Sequence, residues 1–89
     1  MIVKNIYYSK KFIKLFSKLP NHIKKQVVKI ETIFKNNPLH PSLRLHQLRG
    51  RLENSWSISV TMDYRIIFDR IDGGDIFFLS VGKHDIYEK

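Results

Sequence analysis

Along this 89-residue chain the spacing of apolar positions changes from a helical period to a strand period. Residues 1–8 are rich in β-branched and aromatic side chains and read as a strand. Ser9 offers a helix N-cap. Phe12, Leu15, Phe16 and Leu19 then recur at helical spacing, with Lys10, Lys11, Lys14 and Lys18 mostly off that stripe. Pro20-Asn21 breaks or restarts the helix. A second stripe at Ile23, Val27, Ile30 and Phe34 runs up to Asn36-Asn37-Pro38, which ends it. Two short amphipathic helices joined tightly predict an antiparallel hairpin, each helix with one apolar side.

Residues 39–52 carry only a weak pattern at Leu43, Leu45 and Leu48, interrupted by prolines, histidines and arginines. They predict a loop, a short strand over 45–48 and a turn at Gly50. Beyond them the period becomes two. Trp56, Ile58 and Val60 alternate with Ser55, Ser57 and Ser59, and Tyr64, Ile66 and Phe68 alternate with Arg65, Ile67 and Asp69. A tight turn near Met62 separates these strands, and Asp72-Gly73-Gly74-Asp75 predicts a hairpin. Residues 76–82 are apolar on both faces, as in a strand with neighbours on each side. The order β-α-α-β-β-β-β predicts a single α+β domain over residues 1–89. Its antiparallel sheet carries the two-helix hairpin on one face.

Composition narrows the function classes. At 43% hydrophobic, with six Phe, four Tyr and one Trp, the chain can build a core and is not a disordered segment. The absence of cysteine excludes a disulfide scaffold, a thiolate zinc site and a cysteine nucleophile. No apolar run approaches the ~18 residues that span a bilayer, and no signal-peptide core follows Met1. A cytoplasmic protein is therefore expected. The net charge of +8 is unevenly spread. Residues 1–52 hold nine Lys and three Arg against Glu31 alone, whereas residues 53–89 hold two Lys, two Arg and seven acids. A small domain this basic is suited to a polyanion, nucleic acid above all.

Alternation sends Arg65 to the face opposite Tyr64, Ile66 and Phe68. One role for a mid-strand arginine is to cover Ile67 with its stem. The other is to clamp a phosphate, since the planar guanidinium stays charged and bonds two oxygens at once. His84, Asp85 and Tyr87 follow the last strand, where a rigid sheet can position a proton-transfer group and a stacking ring. His46 lies among Arg44, Arg49 and Arg51 and is the most plausible of the remaining histidines; His22 and His40 are weaker. No HxxxH or HExxH spacing supports a metal site, no glycine-rich phosphate loop is present, and no cofactor is expected.

Four runs together resemble the RelE/ParE superfamily of toxins from type II toxin–antitoxin systems. They are Leu48-Arg49-Gly50-Arg51-Leu52, Trp56-Ser57-Ile58, Asp63-Tyr64-Arg65-Ile66-Ile67-Phe68, and the segment from Ser80 through Val81-Gly82-Lys83-His84-Asp85-Ile86 to Tyr87. The resemblance covers nearly the whole chain and implies the RelE-like two-layer fold. It also implies a small basic endoribonuclease, an mRNA interferase that cuts mRNA in the ribosomal A site and is neutralised by a cognate, acidic antitoxin. By the same resemblance Arg65 contacts the scissile phosphate, and His84 falls where relatives place an arginine or a histidine. Tyr87 orients or stacks on the nucleotide, and Asp63 matches an aspartate of YafQ-like members. Arg44, His46, Arg49, Arg51 and Lys83 would hold RNA. The general base stays open, because YafQ-like members carry further upstream histidines and Glu53 only loosely matches the glutamate of YoeB-like members. Asp63 or Asp85 could act as that base or tune His84. Two rival readings are a ParE-like inhibitor of DNA gyrase and an inactive RNA-binding relic.

Overall fold

A computed structural model describes residues 1–49 and 55–83. Strand β1 (Asn5–Tyr8) leads into helix α1 (Lys10–Ser17) and helix α2 (Asn21–Asn36). A 3-10 turn at Pro41–Leu43 precedes the two-residue strand β2 (His46–Gln47), then β3 (Ser55–Ser59), β4 (Tyr64–Ile71) and β5 (Asp75–Lys83). The strands form one sheet in the order β1-β5-β4-β3-β2. This is the predicted α+β arrangement of five strands and a helix pair on one face, with one difference in direction. Strands β2 to β5 form an antiparallel meander, but β1 runs parallel to β5, so the sheet is mixed. A hairpin forces its two strands to be antiparallel. Both helices lie between β1 and β5 in the chain, so that constraint does not reach β1.

Local chemistry explains each boundary. The Ser9 hydroxyl oxygen accepts the Phe12 N–H at 2.9 Å, capping α1, and its own proton goes to the Leu79 carbonyl at 2.7 Å. Pro20 restarts the helix: its carbonyl accepts from Ile23 and Lys24 N–H, both at 3.0 Å. The β4–β5 turn needs Gly73 and Gly74 at φ +81° and +92°, and a Cβ on Gly74 would press on Lys4 and the Ile2 carbonyl.

The core lies between the helices and one face of the sheet. Phe34, Phe68 and Phe78 are completely buried, with centroids 5.0 Å (Phe34–Phe68), 6.1 Å (Phe34–Phe78) and 6.3 Å (Phe68–Phe78) apart. Phe12 extends the cluster to α1, 5.3 Å from Phe78. The two predicted helical stripes both face this cluster, with Phe12, Ile23, Val27, Ile30 and Phe34 buried. In β5 the register slips. Ile67 pairs with Ser80 while Phe68 pairs with Phe78, leaving Leu79 as a one-residue bulge. Ile76 and Phe78 face the core before the bulge, and Val81 does so after it. The strand looked apolar on both faces partly because its inward positions change parity midway.

Tyr8 ties β1 to α2 by donating its phenolic proton to Glu31 Oε2. Burial, then that hydrogen bond, then the Glu31 charge push the phenol up from 10.0 to about 12. The folded chain therefore holds this proton where the unfolded chain has lost it, and the stability it contributes falls away as pH rises from about 10 through about 12. In chemical denaturation across that range, Tyr8→Phe is expected to lose less stability than the parent. Phe34→Ala is expected to cost about 3–5 kcal/mol in urea unfolding, while the exposed Val28→Ala changes stability by only about 0.5 kcal/mol.

Candidate functional site

The face of the sheet away from the helices carries small polar residues beside Ile67 and Phe77. Cross-strand pairing aligns Ser59 with Arg65 and Gly82, Ser57 with Ile67 and Ser80, and Ser55 with Asp69. His46 of β2 pairs with Ser57 and so belongs to this face too. Ser55, Ser57, Ser59 and Ser80 are buried although neither α1 nor α2 lies on this side, and Ile67 is buried between them.

Arg65 emerges on this face, as alternation required, because Ile66 and Phe68 are drawn into the core beside it. It is half-buried, and its Nη1 donates to Ser59 Oγ across the strand pair. At the far end of the same two strands the Ser55 hydroxyl donates to Asp69 Oδ1 at 2.7 Å. The face thus carries a cation at one end and a carboxylate at the other, each joined to a serine.

His46 is exposed on β2, two strand spacings or about 10 Å from β4. Its Nδ1 lies 3.3 Å from the Arg44 carbonyl. A carbonyl only accepts, so the tautomer that makes this contact carries the proton on Nδ1 and leaves the Nε2 lone pair for another proton. Arg44 itself is exposed, and its backbone takes the left-handed conformation (φ 48°) that turns the chain from Pro41–Leu43 into β2. Arg49 is exposed just beyond β2, where Leu48 N–H bonds the Ser55 carbonyl at 2.8 Å.

The other sequence candidates fall elsewhere. Asp63 is exposed in the β3–β4 turn, its N–H bonded to Thr61 Oγ1 at 3.2 Å, two residues before Arg65. Lys83 pairs with Tyr64, and its ammonium sits 5.8 Å from the Tyr64 ring, on the opposite face of the sheet from Arg65. The structure therefore does not bring Lys83 to the arginine. Arg51, His84, Asp85 and Tyr87 lie outside the described residues, as does Glu53. His40 serves the fold: its Nδ1 accepts Ser42 N–H at 3.1 Å and caps the 3-10 turn. Among the described residues, no three His, Asp or Glu side chains converge as a metal site.

Sequence reasoning treated the serines only as the polar half of an alternation. The pattern Ser-x-Ser-x-Ser opposite Arg-x-Ile-x-Asp was the available signal, and the cross-strand register gives it meaning. A second surface was missed as well. On the helical side, an apolar groove of about 220 Å³ runs between α1 and α2, lined by Tyr8, Phe12, Ile13, Phe16 and Val28, with Glu31 at its edge. Ile13 and Val28 are more than half exposed.

No protein-family model matches the chain. No curated protein sequence matches it either. Solved structures do. YafQ from Escherichia coli superposes with a TM-score of 0.78 at 22% identity, over 94% of this chain and 97% of that one. The toxin–antitoxin complex RelBE2 from Mycobacterium tuberculosis contains a chain matching with a TM-score of 0.76 at 20% identity, over 93% and 100%. A YoeB/ParE toxin from Agrobacterium tumefaciens gives 0.75 at 12%, over 91% and 99%. These neighbours are RelE/YoeB/YafQ-like toxins, and the chain shares their fold.

The two faces separate the basic residues experimentally. In fluorescence anisotropy with a single-stranded oligoribonucleotide, Arg65→Ala is expected to lower the slope of log affinity against log salt by about one. Lys83→Ala is expected to leave that slope within error of the parent, because its ammonium is on the other side.

Proposed function

We propose that this protein is the toxin of a type II toxin–antitoxin pair, and that it acts as a ribosome-dependent mRNA endonuclease. The observation that carries the reading is Arg65: a half-buried guanidinium on the sheet face away from α1 and α2, in a fold shared with solved toxins. RNA contains its own nucleophile, the 2′-OH, so cleavage requires alignment, proton transfer and charge neutralisation rather than an added cofactor. A base takes the 2′ proton, the 2′-oxygen attacks phosphorus, the bond to the 5′-oxygen breaks, and an acid protonates that oxygen. The products are a 2′,3′-cyclic phosphate and a 5′-hydroxyl.

In this proposal Arg65 neutralises the charge that builds on the phosphoryl oxygens. His84 is the general acid and Tyr87 positions the nucleotide; both assignments rest on the sequence alone. His46 stands on the same face as Arg65, and its Nδ1–H tautomer keeps Nε2 ready to accept a proton, which makes it a candidate base alongside Asp63. Arg44, Arg49 and Arg51 would hold the RNA backbone, a contact that positions without reading sequence.

The partner is a cognate antitoxin. Two of the neighbouring structures, the RelBE2 and DinJ–YafQ complexes, are toxin–antitoxin assemblies. A basic helical surface around an apolar groove, with Lys24 over the Phe16 ring at 6.0 Å, suits an acidic amphipathic segment.

Primer extension on mRNA from cells expressing the protein tests the reading. Codon-phased cuts are expected with the parent, and loss of cutting by at least about a hundredfold with Arg65→Ala, His84→Ala or Tyr87→Ala. Full toxicity in all three folded variants, or relaxation of negatively supercoiled plasmid in place of mRNA cuts, would favour gyrase inhibition instead.

A further inference from the structure

We infer that Ser59 is a positioning residue for Arg65: its buried hydroxyl oxygen accepts from Nη1 and fixes where the guanidinium meets a phosphate. The inference rests on the reading of Arg65 given above. Ser59 is 7% exposed and stands directly across the strand pair from Arg65, so the register that sets the core also sets this bond. An arginine stem has many rotamers, and a guanidinium free to sample them would meet the phosphate in the wrong place most of the time. Binding Nη1 to one point on β3 leaves Nε and Nη2 as the edge that can bond phosphate oxygens.

The identity of the acceptor matters as much as its position. A carboxylate opposite Arg65 would hold the side chain more tightly but would cancel the charge that the phosphate needs. A serine oxygen orients the guanidinium and leaves its charge intact. The other end of the same strand pair provides the contrast. There the serine hydroxyl donates, and the charged group it serves is Asp69. Ser55 is therefore a matched control, with the same residue type, the same two strands and the same face.

The test compares Ser59→Ala, Ser59→Thr, Ser59→Asp and Ser55→Ala in single-turnover cleavage of ribosome-bound mRNA. Thermal unfolding of each variant is measured alongside. Ser59→Ala is expected to slow cleavage at saturating substrate by about tenfold or more, with half-saturation unchanged, and Ser59→Thr to restore it. Ser55→Ala is expected to lower thermal stability as Ser59→Ala does, yet to cleave at the parent rate. Ser59→Asp is expected to be slow although its arginine is well held. Adding Ser59→Ala to Arg65→Ala is expected to bring no further loss. A second readout does not depend on cleavage. Hydrogen exchange at the Arg65 Nη1 protons, followed by NMR, is expected to accelerate at least about tenfold in Ser59→Ala. Unchanged exchange, or parent-like cleavage by Ser59→Ala beside a dead Arg65→Ala, would overturn the role of Ser59. Parent-like cleavage by Arg65→Ala would instead overturn the phosphate reading, while accelerated exchange would still support the contact itself.

Discussion

Everything on the functional side depends on the ring of Phe68 being trapped between Phe34 and Phe78. A strand has a period of two, so burying one residue decides the side of every other residue along it. With Phe68 and Ile66 inside, Arg65, Ile67 and Asp69 must be outside. A slip of one residue would turn Ile66 and Phe68 out and Arg65 in, an unpaired charge in an apolar core. The aromatic cluster thus sets the orientation of Arg65 as firmly as it stabilises the fold.

The face away from α1 and α2 inverts the usual relation between burial and hydrophobicity. Its serines are buried, and they present hydroxyls rather than methyl groups. A hydroxyl can accept from a cation at one position and donate to an anion at another, and this surface uses both. Apolar residues in those places could have covered the sheet equally well, but they could not have held two opposite charges four residues apart on one strand.

Much of this was legible in the chain. The helical stripes, the Ser9 cap, the four-strand meander and the outward direction of Arg65 all follow from local periodicity and cap chemistry, which need only neighbours in sequence. What was not legible depends on distant partners. The parallel pairing of β1 with β5 joins the two ends of the chain across both helices. Lys83 ends a strand whose parity changes at Leu79, so its side could not be read by counting from Ile76. The serine–arginine and serine–aspartate bonds depend on cross-strand register, and the helical groove depends on how two helices splay over β5. Ile13 and Val28 stand beside core residues in both helices, so periodicity alone assigns them to neither face clearly.

The bulge at Leu79 has an evolutionary consequence. Removing that single residue would give β5 an unbroken ladder, and each local contact would look improved. Ser80 and Gly82 would stay opposite Ile67 and Arg65 and Val81 would stay opposite Ile66, but the Ser9 hydroxyl would lose the Leu79 carbonyl that takes its proton. The extra residue thus serves the junction of β1 and α1 rather than the sheet, and its loss would be felt at the Ser9 cap and not in the alternation of β5.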